Sequence, residues 1–133
     1  MIKLMLDTNI CVYILNNKPE HIARKFYEYG AGEIAISSIV LAELLYGIQK
    51  SKYKKSNKAV LDKLLDFLEI VPFGDKEALT YAKIRSKLES AGCVIGSMDM
   101  LIASVALAND LVLVTNNQKE FARISNCKLQ NWA

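Results

Sequence analysis

The sequence predicts a single α/β domain in which a parallel β-sheet is sandwiched between helices. Short apolar runs alternate with longer segments whose apolar residues recur at helical spacing, and this alternation is typical of parallel sheets covered on both faces. Of the 133 residues, 52% are hydrophobic, which is enough for one packed core. Only 2 prolines and 6 glycines occur, without a linker or internal repeat, so we expect one domain over residues 1–133.

The first three elements are a strand and two helices. "IKLML" is short, apolar and followed by a polar cluster, which favours a buried strand. "TNICVYILN" has the length and spacing of a short helix, with Thr8 or Asn9 as its cap. "PEHIARKFYEYG" starts at Pro19, a preferred first helical residue, and stops at Gly30, a preferred helix end.

The middle of the chain continues the alternation. "EIAIS" is predicted as the second strand, and "SIVLAELLYGIQK" follows as a helix capped by Ser37 or Ser38. A basic connector, "KSKYKKSNK", covers residues 50–58. "AVLDKLLDFLE" then repeats apolar residues at helical spacing, which predicts another helix.

The last elements complete the sheet. "IVPF" is predicted as a strand at the sheet edge, because Pro72 cannot donate a ladder hydrogen bond. "DKEALTYAKIRSKLESAG" is a long amphipathic helix that ends at Gly92, and the nearly all-apolar helix "SMDMLIASVALAND" should be central. "LVLVT" is a buried strand, "NNQKEFARI" a short helical turn, and "CKLQNW" a final edge strand.

Composition excludes several classes of protein. The charge of +3 permits a nucleic-acid partner without requiring one. Three cysteines without a CxxC pair favour a reducing, cytoplasmic environment, and no apolar run approaches the ~20 residues of a membrane span. Phosphate-binding glycine loops do not occur, which argues against a nucleotide-binding enzyme. His21 is the only histidine and is expected on a surface helix, so one chain cannot supply a two-histidine ribonuclease mechanism.

Three acids stand alone in apolar surroundings. Asp7, Glu43 and Asp99 are the only charged residues within residues 4–17, 34–49 and 90–109 respectively. An ionised carboxylate in such surroundings costs several kcal/mol unless it is paired, hydrogen-bonded or bound to a metal. Since no Lys or Arg lies nearby in sequence, one shared divalent ion would account for all three, and hard oxygen ligands suit Mg²⁺ or Mn²⁺.

Each acid also has a structural explanation. Asp7 could cap the following helix, Asp99 could favour a helix N-terminus by about 0.3–1 kcal/mol, and Glu43 could point to solvent. Against these, Asp7 follows a buried strand at its carboxyl end, where open α/β sheets place their ligands.

The fragments "MLDTN", "AELLYG", "DMLIA" and "VTNNQKEF" together resemble the PIN-domain ribonucleases, and more closely the VapC toxins of bacterial toxin–antitoxin pairs. The resemblance spans nearly the whole chain in order and spacing. It implies a five-stranded parallel sheet, Mg²⁺- or Mn²⁺-dependent endoribonuclease activity, homodimerisation and a cognate VapB-type antitoxin. Close relatives of this subtype cut initiator transfer RNA in its anticodon loop, which is therefore the favoured substrate.

The resemblance also assigns the site residues. The family's first three acids fall on Asp7, Glu43 and Asp99 as metal ligands. Its fourth position, often Asp, falls here on Asn117, which offers an oxygen without a charge and leaves the number of metals open. Glu120 could supply the missing charge or be a surface acid. Supporting roles, either holding the acids in place or touching phosphate, are expected for Thr8, Asn9, Thr115 and Asn116.

Substrate and partner surfaces are expected outside the acids. The basic connector and its neighbours are candidate RNA contacts or a solvated surface: Lys50, Lys52, Tyr53, Lys54, Lys55 and Lys58, with Arg85 and Lys87 from the long helix. Aromatic and apolar residues of the early helices are candidates for the antitoxin interface: Tyr13, Phe26, Tyr27, Tyr29, Leu45 and Tyr46.

Two other classes of function stay open on the sequence. With Asn117 replacing an acid, the chain could be a binding module for RNA or antitoxin that has lost its catalytic power. A phosphotransferase with Asp7 as nucleophile would need a second acid nearby, and Asn9 stands where a DxD motif would place it, so this class ranks last.

Overall fold

The structure is a computed structural model that describes residues 1–132. Its centre is a five-stranded sheet in the order β3-β2-β1-β4-β5, in which every neighbouring pair is parallel. This confirms the predicted α/β class and the edge positions of the third and fifth strands. The strands are β1 (Leu4–Leu6), β2 (Ile34–Ser37), β3 (Glu69–Val71), β4 (Val112–Val114) and β5 (Leu129–Gln130).

Seven helices occur within residues 1–132. They are α1 (Thr8–Asn16), α2 (Glu20–Phe26), α3 (Ser38–Gln49), α4 (Lys54–Phe67), α5 (Asp75–Ser90), α6 (Ser97–Ala108) and α7 (Gln118–Phe121). As predicted, α6 is central, because half of its residues are buried and only Ser97 and Met98 are exposed. Ser37 caps α3 by accepting a hydrogen bond from the backbone N–H of Val40. These elements enclose the core formed with β1 and β2.

Three helix ends differ from the prediction. The cap of α1 is Asp7, the alternative role considered for this acid, rather than Thr8 or Asn9, because the Asp7 carboxylate accepts a hydrogen bond from the backbone N–H of Thr8. Helix α2 ends at Phe26, four residues before the predicted stop at Gly30, since the N–H groups of Glu28 and Tyr29 donate to carbonyls only three residues back.

Helix α4 begins at Lys54, so it includes the second half of the basic connector predicted at residues 50–58. Lysine is a good helix former, and the Lys58 ammonium lies 2.7 Å from the carboxylate of Asp62 one turn later. The remaining connector, residues 50–53, therefore turns directly into a helix whose first turn is cationic.

The sheet topology determines where a site can form. From β1 the chain adds β2 and β3 on one side and later β4 and β5 on the other, so the strand order reverses between β1 and β4. Leu6 of β1 is in register with Val114 of β4. Asp7 and Thr115, the next residues of each strand, therefore lie side by side at the carboxyl edge, where open α/β sheets bind ligands.

Candidate active site

Asp7 is held in place by three hydrogen bonds. Its Oδ1 accepts from the backbone N–H of Thr8 at 2.8 Å, and its Oδ2 accepts from the Thr115 hydroxyl at 2.7 Å. Its own N–H donates to the Val114 carbonyl at 2.9 Å. With the side chain only 5% exposed, these bonds fix the carboxylate at the end of the central strand.

Thr115 connects this carboxylate to the loop after β4. Its hydroxyl donates to Asp7 and accepts a 3.0 Å hydrogen bond from the backbone N–H of Asn117. The neighbouring Asn116 amide donates to the Tyr13 hydroxyl of α1 at 2.7 Å. The loop that carries Asn117 is thus tied to both β1 and α1.

Glu43 lies next to Asp7 in space, although 36 positions separate them. It is half-buried on α3, and its Oε1 accepts a 2.5 Å hydrogen bond from the Thr8 hydroxyl. The expectation that Glu43 simply points to solvent is therefore wrong. Thr8 donates to both acids, with its N–H to Asp7 and its hydroxyl to Glu43.

Asp99 completes the predicted set from the first turn of α6. Its burial, followed by the negative charges of Asp7, Glu120 and Glu43, raises its pKa to about 6. The pKa of Asp7 is also raised, chiefly by burial and further by Glu43, although the hydrogen bonds from Thr115 and Thr8 oppose the shift. Since Asp7, Glu120 and Glu43 all act on Asp99, these charge effects indicate that the four carboxylates lie in one region.

The ion pairs within residues 1–132 leave all four of these carboxylates unpaired. The cations of those pairs contact Glu33, Asp62, Glu77, Glu89 and Asp110 instead. In the same residues, no three Asp, Glu, His or Cys side chains are arranged to hold a metal ion as they stand. The cluster is thus an open region of uncompensated negative charge.

The other predicted site residues differ in their burial and in their contacts. Asn117 is half-buried at the start of α7, and Glu120 lies near enough to raise the pKa of Asp99. Asn9 is exposed. The link from Asn116 to Tyr13 was missed by the sequence reasoning, because a tyrosine at helical spacing in an apolar helix has the same pattern as a core residue.

The candidate RNA-contact residues lie on exposed surface. The Lys50 ammonium is 5.1 Å from the centroid of the Tyr46 ring, and the Lys52 ammonium is 5.7 Å from that of Tyr53. Lys54 and Lys55 begin α4 and are exposed.

Arg85 is also exposed, but it contacts its own helix, with its guanidinium bonding the Tyr81 hydroxyl at 2.9 Å and approaching Glu89 at 3.5 Å. Lys87 donates to the Ser125 hydroxyl at 3.1 Å. These two basic residues of α5 are therefore already engaged within the chain.

The predicted aromatic interface divides into separate regions. Phe26 is a core residue, and Tyr29 stacks on Trp132 with ring centroids 5.9 Å apart. Tyr27, 69% exposed, lines a cavity of about 460 Å³ between α1, α2 and α4. Leu45 instead lines a cavity beside the lysines of α4. No helix within residues 1–132 is long and apolar enough to span a bilayer.

Known proteins show the same organisation. Residues 4–126 match the PIN domain family. The chain is 50% identical over 129 residues to ribonuclease VapC2 of Rickettsia felis, covering 96% of each protein. It is 39% identical over 132 residues to the tRNA(fMet)-specific endonuclease VapC of Salmonella typhimurium, covering 99% of each. A crystal structure of DNA-bound VapBC from the same organism covers 100% of both chains with a TM-score of 0.94 at 39% identity.

Proposed function

Since the chain belongs to the PIN-domain family and, within it, to the VapC ribonucleases, we propose that it is the toxin of a toxin–antitoxin pair and a divalent-metal-dependent endoribonuclease. The observation that carries the metal dependence is the cluster of Asp7, Glu43, Asp99 and Glu120, which lacks a cation among the described residues.

The donor set fits Mg²⁺ or Mn²⁺. The acids offer carboxylate oxygens, which hard divalent ions prefer, and after burial the neighbouring negative charges also contribute to the raised pKa values of Asp7 and Asp99. We assign Asp7 and Asp99 as the chief metal ligands. Glu43 would bind the metal ion either directly or through a water molecule. Asn117 offers a neutral oxygen from the loop after β4, and Glu120 supplies the charge that Asn117 lacks.

The neighbouring residues of the chain would position the carboxylates for catalysis. Thr115 and Thr8 fix the two oxygens of Asp7, and Thr8 also holds Glu43, so the carboxylates are oriented before substrate arrives. A divalent ion held by these carboxylates would lower the pKa of a bound water and offset negative charge on the phosphate. Hydrolysis would form a bond from the water oxygen to phosphorus and break the bond from phosphorus to the 3′ oxygen, which takes up a proton, so the products would carry a 5′-phosphate and a 3′-hydroxyl.

We propose initiator transfer RNA, cut in its anticodon loop, as the substrate. The support is the full-length similarity to two endonucleases named as specific for tRNA(fMet), at 39% identity from Salmonella typhimurium and 35% from Shigella flexneri.

The partners proposed are a VapB-type antitoxin and a second copy of the chain, in the cytoplasm. Structures of relatives at 48% and 39% identity are VapBC complexes. The cavity lined by Tyr27, Phe26 and Phe67 offers an apolar surface to an antitoxin segment. The free state of Cys11, Cys93 and Cys127 agrees with a reducing compartment.

A binding module without catalysis is the second candidate. The observation that favours it is Asn117, which contributes no charge where the family often has an acid. Glu120 weakens this alternative, because its charge acts on Asp99 from the same region.

One cleavage assay separates these proposals. Purified protein is incubated with labelled initiator transfer RNA and Mg²⁺, with and without EDTA, beside Asp7→Asn. The nuclease predicts metal-dependent cutting that the substitution abolishes, whereas the module predicts binding without cutting. Cutting that survives both EDTA and Asp7→Asn would show that the assigned residues are wrong. Elongator transfer RNAs in parallel reactions test the choice of substrate.

A further inference from the structure

A cavity of about 170 Å³ lies between α5, the end of α6 and the turn that follows α7, and we call it the α5–α7 cavity. Three cationic side chains line it, and none of the lining residues that the structure describes is acidic. Lys83 and Lys87 stand one turn apart on α5, whereas Arg123 comes from the turn after α7. Because they come from separate parts of the chain, the fold and not the local composition brings these cations together.

The positive charges of the α5–α7 cavity are not neutralised within residues 1–132. None of the ion pairs there includes Lys83, Lys87 or Arg123, and all three side chains are exposed. The ammonium of Lys87 donates to a neutral group, the Ser125 hydroxyl, at 3.1 Å. The guanidinium of Arg123 donates to the Val94 carbonyl at 3.4 Å. Like charges around one depression repel each other, so an anion between them would relieve the repulsion.

The floor of the α5–α7 cavity is apolar and belongs to the core. Ile84, Leu88 and Ile124 form it, and all three are buried. The cavity has well under half the volume of the cavity of about 460 Å³ between α1, α2 and α4, so it suits a compact anion rather than a peptide segment. A phosphate group is compact, and its oxygens accept hydrogen bonds from ammonium and guanidinium groups. The Ser125 hydroxyl accepts from Lys87, so its own proton is available to such an oxygen.

Two chain segments connect the α5–α7 cavity to the acids of the candidate active site. The backbone N–H of Arg123 donates to the Glu120 carbonyl at 3.1 Å, and the charge of Glu120 acts on Asp99. The Arg123 guanidinium also contacts Val94 in the loop that leads into α6, and Asp99 lies in the first turn of α6. Arg123 is therefore adjacent to the segments that carry two of the four acids.

We propose that the α5–α7 cavity binds a backbone phosphate of the RNA substrate, outside the bond that is cut. Lys83, Lys87 and Arg123 contact the phosphate oxygens and read no base. A cluster of carboxylates repels the phosphates of an RNA strand, and cations beside the cluster offset this repulsion. The inference rests on the proposed ribonuclease function and adds to it a place where the strand is held.

The first test measures RNA binding without cleavage. In an Asp7→Asn background with Mg²⁺, fluorescence anisotropy follows labelled initiator transfer RNA. Changing Lys83→Gln, Lys87→Gln and Arg123→Gln together should raise the dissociation constant about tenfold at low salt. The slope of log Kd against log salt should fall by about 1, which is the contribution of one phosphate contact. The loss should be equal for elongator transfer RNAs, because a phosphate contact carries no sequence information.

Two control variants separate this site from a general loss of charge. Changing Lys18→Gln, Arg24→Gln and Lys25→Gln together removes the same three charges from exposed positions in and before α2 that do not line the cavity. Since this weakens only the overall positive field, the slope should change by less than half as much. The second control exchanges lysine and arginine at the three cavity positions, which keeps the charge, and it should keep the parent's salt slope.

The second test asks whether the cavity residues act on binding or on the acids. In a chain with Asp7 intact, the triple Gln variant of the cavity is compared with wild type in cleavage of labelled transfer RNA. The loss of a contact made equally before and during the reaction should raise KM about tenfold and leave kcat within about twofold of wild type.

The outcomes separate this proposal from the ribonuclease function. If wild type cuts RNA with Mg²⁺ while the cavity variant binds RNA like the α2 control, the phosphate site is overturned and the ribonuclease stands. An unchanged KM with a lower kcat would also overturn it, because the cations would then act through the acids. If RNA binding is kept but the purified cognate antitoxin no longer binds, the cavity belongs to a protein partner and the proposal is again overturned. If wild type cuts no RNA with Mg²⁺, the ribonuclease function fails first and the phosphate site fails with it.

Discussion

Asp7 and Glu77 are equally buried carboxylates with opposite electrostatics. Asp7 is 5% exposed and Glu77 on α5 is 4% exposed. Each accepts two hydrogen bonds, which for Glu77 come from the Gly74 N–H at 3.0 Å and the Asn109 amide at 2.9 Å. The pKa of Asp7 is nevertheless raised, whereas that of Glu77 is lowered.

The difference in pKa lies first in the balance between burial and hydrogen bonding, and the neighbouring charges add to it. Burial pushes both pKa values upward, but around Glu77 the hydrogen bonds from Asn109 and Gly74 outweigh it and Lys76 adds a positive charge. Around Asp7, the hydrogen bonds do not offset burial, and Glu43 adds a negative charge. Burial of an acid therefore does not identify a functional group. What identifies one here is negative charge that the described part of the chain leaves uncompensated.

The largest expected difference between the two acids is in activity. Asp7→Asn should lower the rate of RNA cleavage about 100-fold or more, because it removes a charged ligand while the amide can still fill the same space. Glu77→Gln should cleave at the wild-type rate per folded molecule. Single-turnover cleavage of labelled transfer RNA, normalised to the folded fraction by circular dichroism, measures both. Equal losses in the two variants would remove the distinction.

The next largest expected difference is in metal binding, which should depend on the acids of the candidate site and not on Glu77. At 100 times its dissociation constant, Mn²⁺ should stabilise the wild-type protein by about 2.7 kcal/mol, and Glu77→Gln by the same amount. Asp99→Asn should lose most of this gain. The measurement is thermal unfolding in EDTA and in increasing MnCl₂. The proposed site would be wrong if Asp99→Asn kept the full stabilisation.

The free energy of unfolding should depend on Glu77, which has no expected role in activity or metal binding. Glu77→Gln leaves the Asn109 amide or the Gly74 N–H with a weaker acceptor or none, which should lower the free energy of unfolding by about 1–3 kcal/mol. Urea denaturation in EDTA measures this loss. As a control, Glu89→Gln on the same helix removes an exposed acid 3.5 Å from Arg85 and should change stability by less than about 0.5 kcal/mol.

Sequence reasoning found one of these acids and missed the other for a physical reason. Asp7 stands alone among apolar residues, so its cost of burial is visible in the sequence. Glu77 follows Asp75 and Lys76 in the first turn of an amphipathic helix, where it has the pattern of a surface acid. Its partner Asn109 is 32 residues away, and that contact exists only once α5 packs on α6.

The information carried by local sequence patterns also explains which other features of the fold and the site could be predicted. Short apolar strands and their parallel arrangement were predictable, because alternating apolar runs and helices indicate a parallel sheet buried on both faces. The start of α4 at Lys54 was not, since a lysine-rich stretch is equally compatible with a solvated connector. Whether Glu120 joined the acids depended on the path of the chain after β4, which no local pattern determines.

The smallest expected effect is on the pH dependence of stability. The pKa of Asp99 rises from 3.8 in the unfolded chain to about 6 in the fold, so its ionisation disfavours folding. The resulting loss of stability is absent below pH 3.8, grows between pH 3.8 and 6, and is complete above pH 6. Because Asp99 is only half-buried, solvent screening reduces the full effect to about 1 kcal/mol.

In EDTA, Asp99→Asn should therefore be about 1 kcal/mol more stable than wild type at pH 7 and no more stable near pH 4. Glu77 acts in the opposite direction, since its lowered pKa contributes stability above pH 4.5 that is lost as pH falls. The deficit of Glu77→Gln should stay constant from pH 5 to 7, while the advantage of Asp99→Asn grows over the same range. Urea titrations at pH 4, 5, 6 and 7 compare the two trends. Parallel trends would mean that both acids are structural, whereas diverging trends would place the uncompensated charge at the carboxyl edge of the sheet alone.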